Sequence, residues 1–224
     1  MEKQKYTAIV LAAGSGKRMN SKVHKQYLII QDRPVLYYSL KAFEDSAVDE
    51  IVLVVGKGEE KFCRKEIVDK YGISKVKAIV EGGKERYHSV FEGLKQTSDA
   101  DYVLIHDGAR PFVNQDIIRR CMQEVQKYQA CVVGMPVKDT IKIADEEGYA
   151  KQTPDRKNVW MIQTPQTFSY ALIYEAYEEM LKTEDTAITD DAMVLERIKG
   201  KKSKLIEGSY RNIKITTPED LLIA

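Results

Sequence analysis

A three-layer α/β fold, with a mostly parallel sheet flanked by helices, is the fold class this 224-residue sequence predicts. Two observations predict it. Short runs rich in Val and Ile alternate with longer stretches of helical period, as in successive β-α-β units whose strands are buried on both faces. The first of these runs leads straight into a string of small residues, from Ala12 to Gly16. A third observation qualifies the fold: between residues 138 and 157 the alternation fails, and a polar segment interrupts the pattern.

Taken in order, strands are expected at 7–11, 51–55, 77–80, 102–106 and 131–137, and helices at 34–44, 59–71, 85–96, 114–127 and 170–182. Asn114 suits an N-cap, and Thr217-Pro-Glu-Asp starts another helix with Pro at its first position. Residues 138–157 read as two extended segments joined by a turn at 146–148. So polar a hairpin forms no core of its own, and it is expected to project as an arm or to pack on a partner chain. The length suits one domain over residues 1–224 carrying that arm.

Composition narrows the function. With 35 basic and 34 acidic residues the net charge is +1, which gives no electrostatic grip on bulk nucleic acid or an anionic membrane. Small polar substrates are the better expectation. Cys63, Cys121 and Cys131 are widely spaced and lack a C-x-x-C pairing, so neither a disulfide framework nor a zinc site is indicated, and a reducing cytoplasm fits. The apolar stretch at 6–13 ends in Gly-Ser-Gly and not in a cleavage-like segment, and no stretch is long enough to span a membrane.

The chemistry gathers after the first strand. Ala12, Ala13, Gly14, Ser15 and Gly16 let backbone N–H groups approach phosphate oxygens, while Lys17, Arg18 and, further on, Lys25 add positive charge. This is not a P-loop, because Gly16-Lys17 is followed by Arg18 and position 11 is not glycine. Nor is it a dinucleotide fingerprint, whose third glycine is replaced by Met19. A nicotinamide-dependent dehydrogenase is therefore disfavoured. On the residues alone the loop is equally a tight turn, and Arg86 and Ser89 read better as lying on a solvated helix face.

The string Leu-Ala-Ala-Gly-Ser-Gly-Lys-Arg-Met, with Lys25-Gln26-Tyr27 beyond it, resembles the signature of nucleotidyltransferases that activate sugar or polyol phosphates. Further blocks narrow the resemblance: Gly82-Gly83-Lys84-Glu85-Arg86 with Ser89, Ile105-His106-Asp107-Gly108-Ala109-Arg110-Pro111-Phe112, Pro136-Val137-Lys138-Asp139-Thr140, Gln163-Thr164-Pro165-Gln166, Thr189-Asp190-Asp191-Ala192 and Asn212-Ile213-Lys214. Together they resemble the 2-C-methyl-D-erythritol 4-phosphate cytidylyltransferase family, in family order over nearly the whole chain. Ribitol 5-phosphate cytidylyltransferases share the first loop, the His-Asp block and Thr-Pro-Gln. The Lys138-Asp139-Thr140 segment, Trp160 and Thr189-Asp-Asp-Ala look more like the methylerythritol enzyme. His24 departs from the pattern, since a proline usually precedes the lysine there.

The resemblance implies a Rossmann-like fold of the nucleotide-diphospho-sugar transferase type. It implies attack by an acceptor phosphate on the α-phosphorus of CTP, with Mg2+ bridging phosphate oxygens. Arg18 and Lys25 would stabilise the transition state, and the backbone of Ala12, Ala13, Gly14, Ser15 and Gly16 would hold the triphosphate. Gly83, Lys84, Arg86 and Ser89 would receive base and ribose, with Asp107 and Gly108 beside them. Asp107, at a strand's carboxyl end, is the candidate to lie near the metal; it reads equally as the group that fixes the 109–112 turn. Arg110, Arg156 and Lys214 would position the acceptor, with hydroxyls from Thr140, Thr164 and Thr189. The arm would exchange contacts in a homodimer, so that one subunit completes its neighbour's acceptor site. A catalytically dead nucleotide sensor fits poorly with Lys25, Arg156 and Lys214 all present. His24, His88 and His106 are given no catalytic role, and Trp160 with Tyr37, Tyr38, Tyr174 and Tyr177 reads as packing.

Overall fold

In a computed structural model the described residues are 3–14, 24–183 and 187–224. Ser15, Gly16, Lys17, Arg18 and Met19 of the first loop lie outside them.

The strands are β1 (Tyr6–Ala12), β2 (Ile29–Ile30), β3 (Arg33–Pro34), β4 (Glu50–Val55), β5 (Val76–Glu81), β6 (Tyr102–Asp107), β7 (Ala130–Pro136), β8 (Ile143–Ala144), β9 (Ala150–Gln152), β10 (Trp160–Ser169) and β11 (Lys204–Glu207). The helices are α1 (Val35–Glu44), α2 (Glu60–Cys63), α3 (Arg86–Leu94), α4 (Gln115–Tyr128), α5 (Tyr170–Met180), α6 (Asp191–Lys199) and α7 (Pro218–Ile223). Seven strands form one sheet in the order β11-β7-β10-β6-β1-β4-β5. Among them β10 runs antiparallel to both neighbours, while the other pairings are parallel.

Alternation along the strands divides the core. Tyr6, Ala8, Val10 and Ala12 of β1 join Ile51, Leu53 and Val55 of β4 in the cluster that also contains α1 and α4 residues. Ile9 and, on β4, Val52 and Val54 face the opposite cluster, built with α3, α5 and α6. Both faces of the sheet are thus sealed, which is why these strands read as continuous apolar runs.

The helix ends follow local chemistry. Asn114 Oδ1 accepts a hydrogen bond from Ile117 N–H at 3.0 Å, and Gln129 closes α4 in a left-handed conformation with φ 62°. Asp190 caps α6 by accepting from Met193 N–H, and Gly200 ends it at φ 61°. The helix expected over 59–71 is shorter in its α form: α2 passes into a π-helical segment at Arg64–Asp69.

β10, α6 and β11 add to the expected elements. β10 holds Pro165, a residue that argues against a central strand because it cannot donate to the ladder. The chain accommodates it in a bulge. Ile162 pairs with Gly134 and Gln166 with Val132, so β10 advances four residues while β7 moves two. Within residues 138–157 β8 and β9 pair as an antiparallel hairpin, turning at Gly148 with φ 88°, and Asp145 Oδ1 accepts from Tyr149 N–H at 2.8 Å. Nearly all of 138–157 is exposed, Ile143 and Tyr149 included. No helix among the described residues is long and apolar enough to cross a membrane, and all three cysteines are buried free thiols.

At Gly93, α3 packs close against the sheet. A Cβ there would lie 2.5 Å from Ile9 Cγ2 and 3.1 Å from Val54 Cγ2. Gly93→Ala is therefore expected to destabilise the protein by about 1–3 kcal/mol through overpacking, despite alanine's better helix propensity. Urea unfolding should show the lower midpoint.

Candidate active site

The carboxyl ends of β1, β4, β5 and β6 lie at one edge of the sheet, where ligands of open α/β sheets collect. A cleft of about 360 Å³ opens there. Its walls are the first loop (Ala12, Ala13, Gly14), the turn carrying Lys25 and Gln26, the segment from Gly83 into α3 (Lys84, Glu85, Arg86, Ser89), the end of β6 (Asp107, Ala109) and Lys214. Ten of the residues that the sequence nominates thus converge in space. Among the described lining residues Lys25, Lys84, Arg86 and Lys214 face only Glu85 and Asp107 as anions. The imbalance suits a polyanionic ligand.

The Gly82-Gly83 turn brings α3 to the cleft. A Cβ on Gly82 would lie 2.5 Å from Ala13 Cβ, and one on Gly83 would lie 2.3 Å from His88 Cβ. Gly83 N–H donates to Ser89 Oγ at 3.1 Å, and His88 Nδ1 accepts from Glu85 N–H at 3.3 Å. Ser89 is therefore the brace of this turn, with its hydroxyl spoken for. The N-terminal end of α3, where Glu85 and His88 form a capping box, lies at the cleft and turns the positive end of its dipole toward it.

Asp107 is the electrostatic centre. Its carboxylate meets Lys214 Nζ at 2.7 Å, Arg86 Nε at 3.4 Å and Arg110 Nε at 3.9 Å. Burial alone would raise its pKa, but Arg86, Lys214 and Arg110 outweigh that and hold it well below the usual carboxylate range. Arg86 is shared: Nη1 and Nη2 each donate to Asp191 at 2.8 Å, in the bidentate geometry that guanidinium favours. Asp191 is fully buried and also accepts from Tyr177 Oη–H. Gln166 Oε1 accepts from Asp191 N–H at 3.0 Å and from Ala192 N–H at 2.9 Å, tying α6 to β10.

Behind Asp107 a relay runs inward. Asp107 N–H donates to Thr164 Oγ1 at 3.1 Å, and Thr164 Oγ1 lies 3.0 Å from His106 Nδ1. His106 Nε2 lies 3.2 Å from Arg110 O. A neutral imidazole protonated on Nε2 satisfies every contact, with Thr164 donating to Nδ1. Burial supports this, pushing the His106 pKa down to about 4 against the raising influence of Asp107. On the far side Asn212 Nδ2 donates to Thr164 O at 2.9 Å and to Gln163 Oε1 at 3.2 Å. Arg110 Nη1 donates to Asn212 O at 2.8 Å, and Ile215 N–H donates to Ala109 O. These bonds fix the segment that presents Lys214.

The family model for 2-C-methyl-D-erythritol 4-phosphate cytidylyltransferase matches residues 6–224. The chain belongs to this cytidylyltransferase family. Curated relatives of that name include proteins of Lachnoclostridium phytofermentans, 52% identical over 99% of this chain and 95% of the relative, and of Lachnospira eligens, 54% identical over 97% and 96%. A crystal structure of 4-diphosphocytidyl-2C-methyl-D-erythritol synthase from Anaerococcus prevotii matches with a TM-score of 0.86 and 38% identity, covering 98% of this chain and 94% of that one. The chain is accordingly a nucleotidyltransferase, and ribitol 5-phosphate is the less favoured acceptor.

Not every nominated residue of this cytidylyltransferase reaches the cleft. Arg18, Ser15 and Gly16 lie outside the described residues. Gly108 is a packing position, where a Cβ would sit 2.9 Å from Leu36 Cδ1 and 3.0 Å from Leu11 O. Thr164 is buried with its hydroxyl committed to the relay, and Arg110 lies beneath Asp107. Thr189 is exposed near Met193, while Thr140 and Arg156 are exposed in the arm, where Arg156 Nη1 donates to Lys138 O at 2.9 Å. Conversely, Asp191, Gln166, Asn212 and His106 carry the site's framework without having been nominated. Their blocks drew attention, but a buried polar role has no signature in spacing.

Protonating His106 in place is unfavourable, so stability should fall as pH drops from about 6.5, the ordinary histidine value, toward 4. Over that range the unfolded chain gains a proton that the folded chain refuses, a loss of about 3 kcal/mol. Asp107 acts lower still: its contribution is intact above the ordinary carboxylate pKa near about 4 and is lost beneath it. Urea unfolding between pH 4 and 7 should show the slope, flattened in His106→Gln.

Proposed function

We propose that this cleft transfers the cytidylyl group of CTP to 2-C-methyl-D-erythritol 4-phosphate, the acceptor's phosphate oxygen attacking the α-phosphorus while pyrophosphate leaves. The observation that carries the reading is the cationic excess of Lys25, Lys84, Arg86 and Lys214 around two glycine-rich turns at the carboxyl edge of the sheet. The acceptor phosphate is already anionic near neutral pH, so the reaction calls for no strong general base. It calls for two repelling anions held in line and for stabilisation of charge at the α-phosphoryl group. Lys25, with Arg18 from outside the described residues, supplies that stabilisation. The backbone of 12–16 and the start of α3 hold the nucleotide, and Lys214, oriented by Asp107, faces the acceptor.

A divalent cation is general among nucleotidyltransferases, and we assign Mg2+. Among the described residues no group of three or more potential ligand side chains gathers to hold an ion. Asp107 is the candidate ligand from the chain, and its oxygens already answer to three cations. The donor set thus fits an ion that arrives mainly coordinated by the triphosphate and shields its charge.

The arm supports a homodimer. Its ribbon buries nothing within one chain, yet carries Ile141, Ile143 and Tyr149 exposed, with Met161 and Ile162 exposed at its root. Arg156 and Thr140, which do not line their own chain's cleft, would then reach the partner's acceptor site. Three buried, unpaired thiols suit a reducing cytoplasm.

Pyrophosphate release from CTP, Mg2+ and methylerythritol phosphate tests the activity, with ribitol 5-phosphate as the competing acceptor. Lys25→Ala should lower kcat about 10²–10³-fold; equal rates in variant and wild type would refute the assignment. The arm makes a separate prediction. Arg156→Ala and Lys25→Ala subunits, each inactive alone, should recover activity on mixing, because a mixed dimer contains one intact site. Failure to recover in verified mixed dimers would place Arg156 at its own chain's site.

A further inference from the structure

Lys25 lies in a short 3-10 turn, Lys25–Tyr27, whose other side chains are tied down on opposite sides. Gln26 is buried, and its Nε2–H donates to Ala12 O at the end of β1. His24 and Tyr27 turn the other way, toward Glu59 in the connection between β4 and α2. Glu59 Oε1 lies 2.7 Å from His24 Nδ1. Oε2 accepts from Tyr27 Oη–H at 2.8 Å and from Gly56 N–H at 3.0 Å.

The pocket around this carboxylate is closely built. A Cβ on Gly56 would fall 2.7 Å from Glu59 Oε2, so that glycine makes room for it. Phe62 packs edge-on against the Tyr27 ring with centroids 5.1 Å apart, and Cys63 Sγ lies 3.0 Å from the Tyr27 hydroxyl. Burial pushes the Cys63 thiol up to about 11 and raises the Tyr27 phenol further, so both stay protonated near neutral pH. The Tyr27 hydroxyl therefore remains a donor to Glu59.

We propose that Glu59, which does not line the cleft, is a positioning residue for Lys25: its one carboxylate anchors Tyr27 by a hydrogen bond and sits against His24, and so fixes the direction from which the ammonium meets the phosphates. A lysine is a point charge on a flexible four-carbon stem, and its contribution depends on how rigidly its backbone is held. The Tyr27 hydrogen bond and the close approach of His24 Nδ1, opposed by the Gln26 bond, provide this rigidity from elements that are themselves part of the sheet edge. The inference rests on Lys25 acting at the reacting phosphates, as proposed above.

A double-mutant cycle read in kcat and in KM for CTP tests it. Glu59→Ala should lower kcat about tenfold to a hundredfold at saturating CTP in protein that still unfolds cooperatively. Glu59→Gln, which keeps an acceptor for Tyr27 and Gly56, should recover most of the loss. In a Lys25→Ala background Glu59→Ala should change kcat by less than about twofold, because its effect passes through the missing lysine. Should Glu59→Ala not fold, Tyr27→Phe enters the same cycle. A normal kcat for folded Glu59→Ala beside a crippled Lys25→Ala overturns the positioning role alone, as does a loss that multiplies with that of Lys25→Ala. A normal kcat for Lys25→Ala would instead remove the catalytic reading and this proposal together.

Discussion

One buried negative charge organises this molecule's working edge. Asp107 ends the strand next to β1, and three cations from separate stretches of chain converge on it: Arg86 from α3, Arg110 from the following turn, and Lys214 from near the carboxyl terminus. An isolated carboxylate in that position would be costly. So would three unpaired cations. Each makes the other tolerable, and the start of α3 and the segment carrying Lys214 are thereby cross-linked through one group. The second buried carboxylate, Asp191, extends the link by clamping Arg86 from below. For the two anionic substrates proposed for it, such a cleft keeps its cations in place beforehand by pairing them with carboxylates that leave much of the positive field uncancelled.

That arrangement explains where sequence reading succeeds. The parallel β-α-β pattern was legible because strands sealed on both faces are largely apolar, as residues 8–12 of β1, 51–55 of β4 and 103–105 of β6 are. Asn114 and the Thr217-Pro218 start were legible because capping is local chemistry. The glycine turns and their neighbouring lysines were legible as motifs, and ten nominated residues line one cleft.

The rest was hidden for identifiable reasons. β10 carries Pro165, and only the bulge against β7 makes that residue compatible with a strand. Ser89 and Thr164 were nominated for ligands, yet their hydroxyls satisfy buried backbone and imidazole groups. No spacing rule distinguishes a hydroxyl that meets substrate from one that braces the residue that does. Asp191 and Gln166 present the converse difficulty. Polar side chains read as surface until the fold supplies their partners, 105 residues away for Arg86 and Asp191.

The overall charge of +1 and the cationic cleft are compatible because the positive charge is local. Elsewhere lysines and carboxylates are interspersed, as in the Lys199 contacts with Glu175 and Glu179, or lie along the exposed edge strand β11, where Lys204 helps discourage edge pairing. Basic residues are thus common over the surface without building a field. At the cleft the cations are gathered by the Gly82-Gly83 turn, which has no room for side chains, by a helix that begins there, and by carboxylates that pin them. The positive field is confined to a concave space of about 360 Å³, a geometry that suits the small phosphate substrates proposed above better than an extended polyanionic backbone.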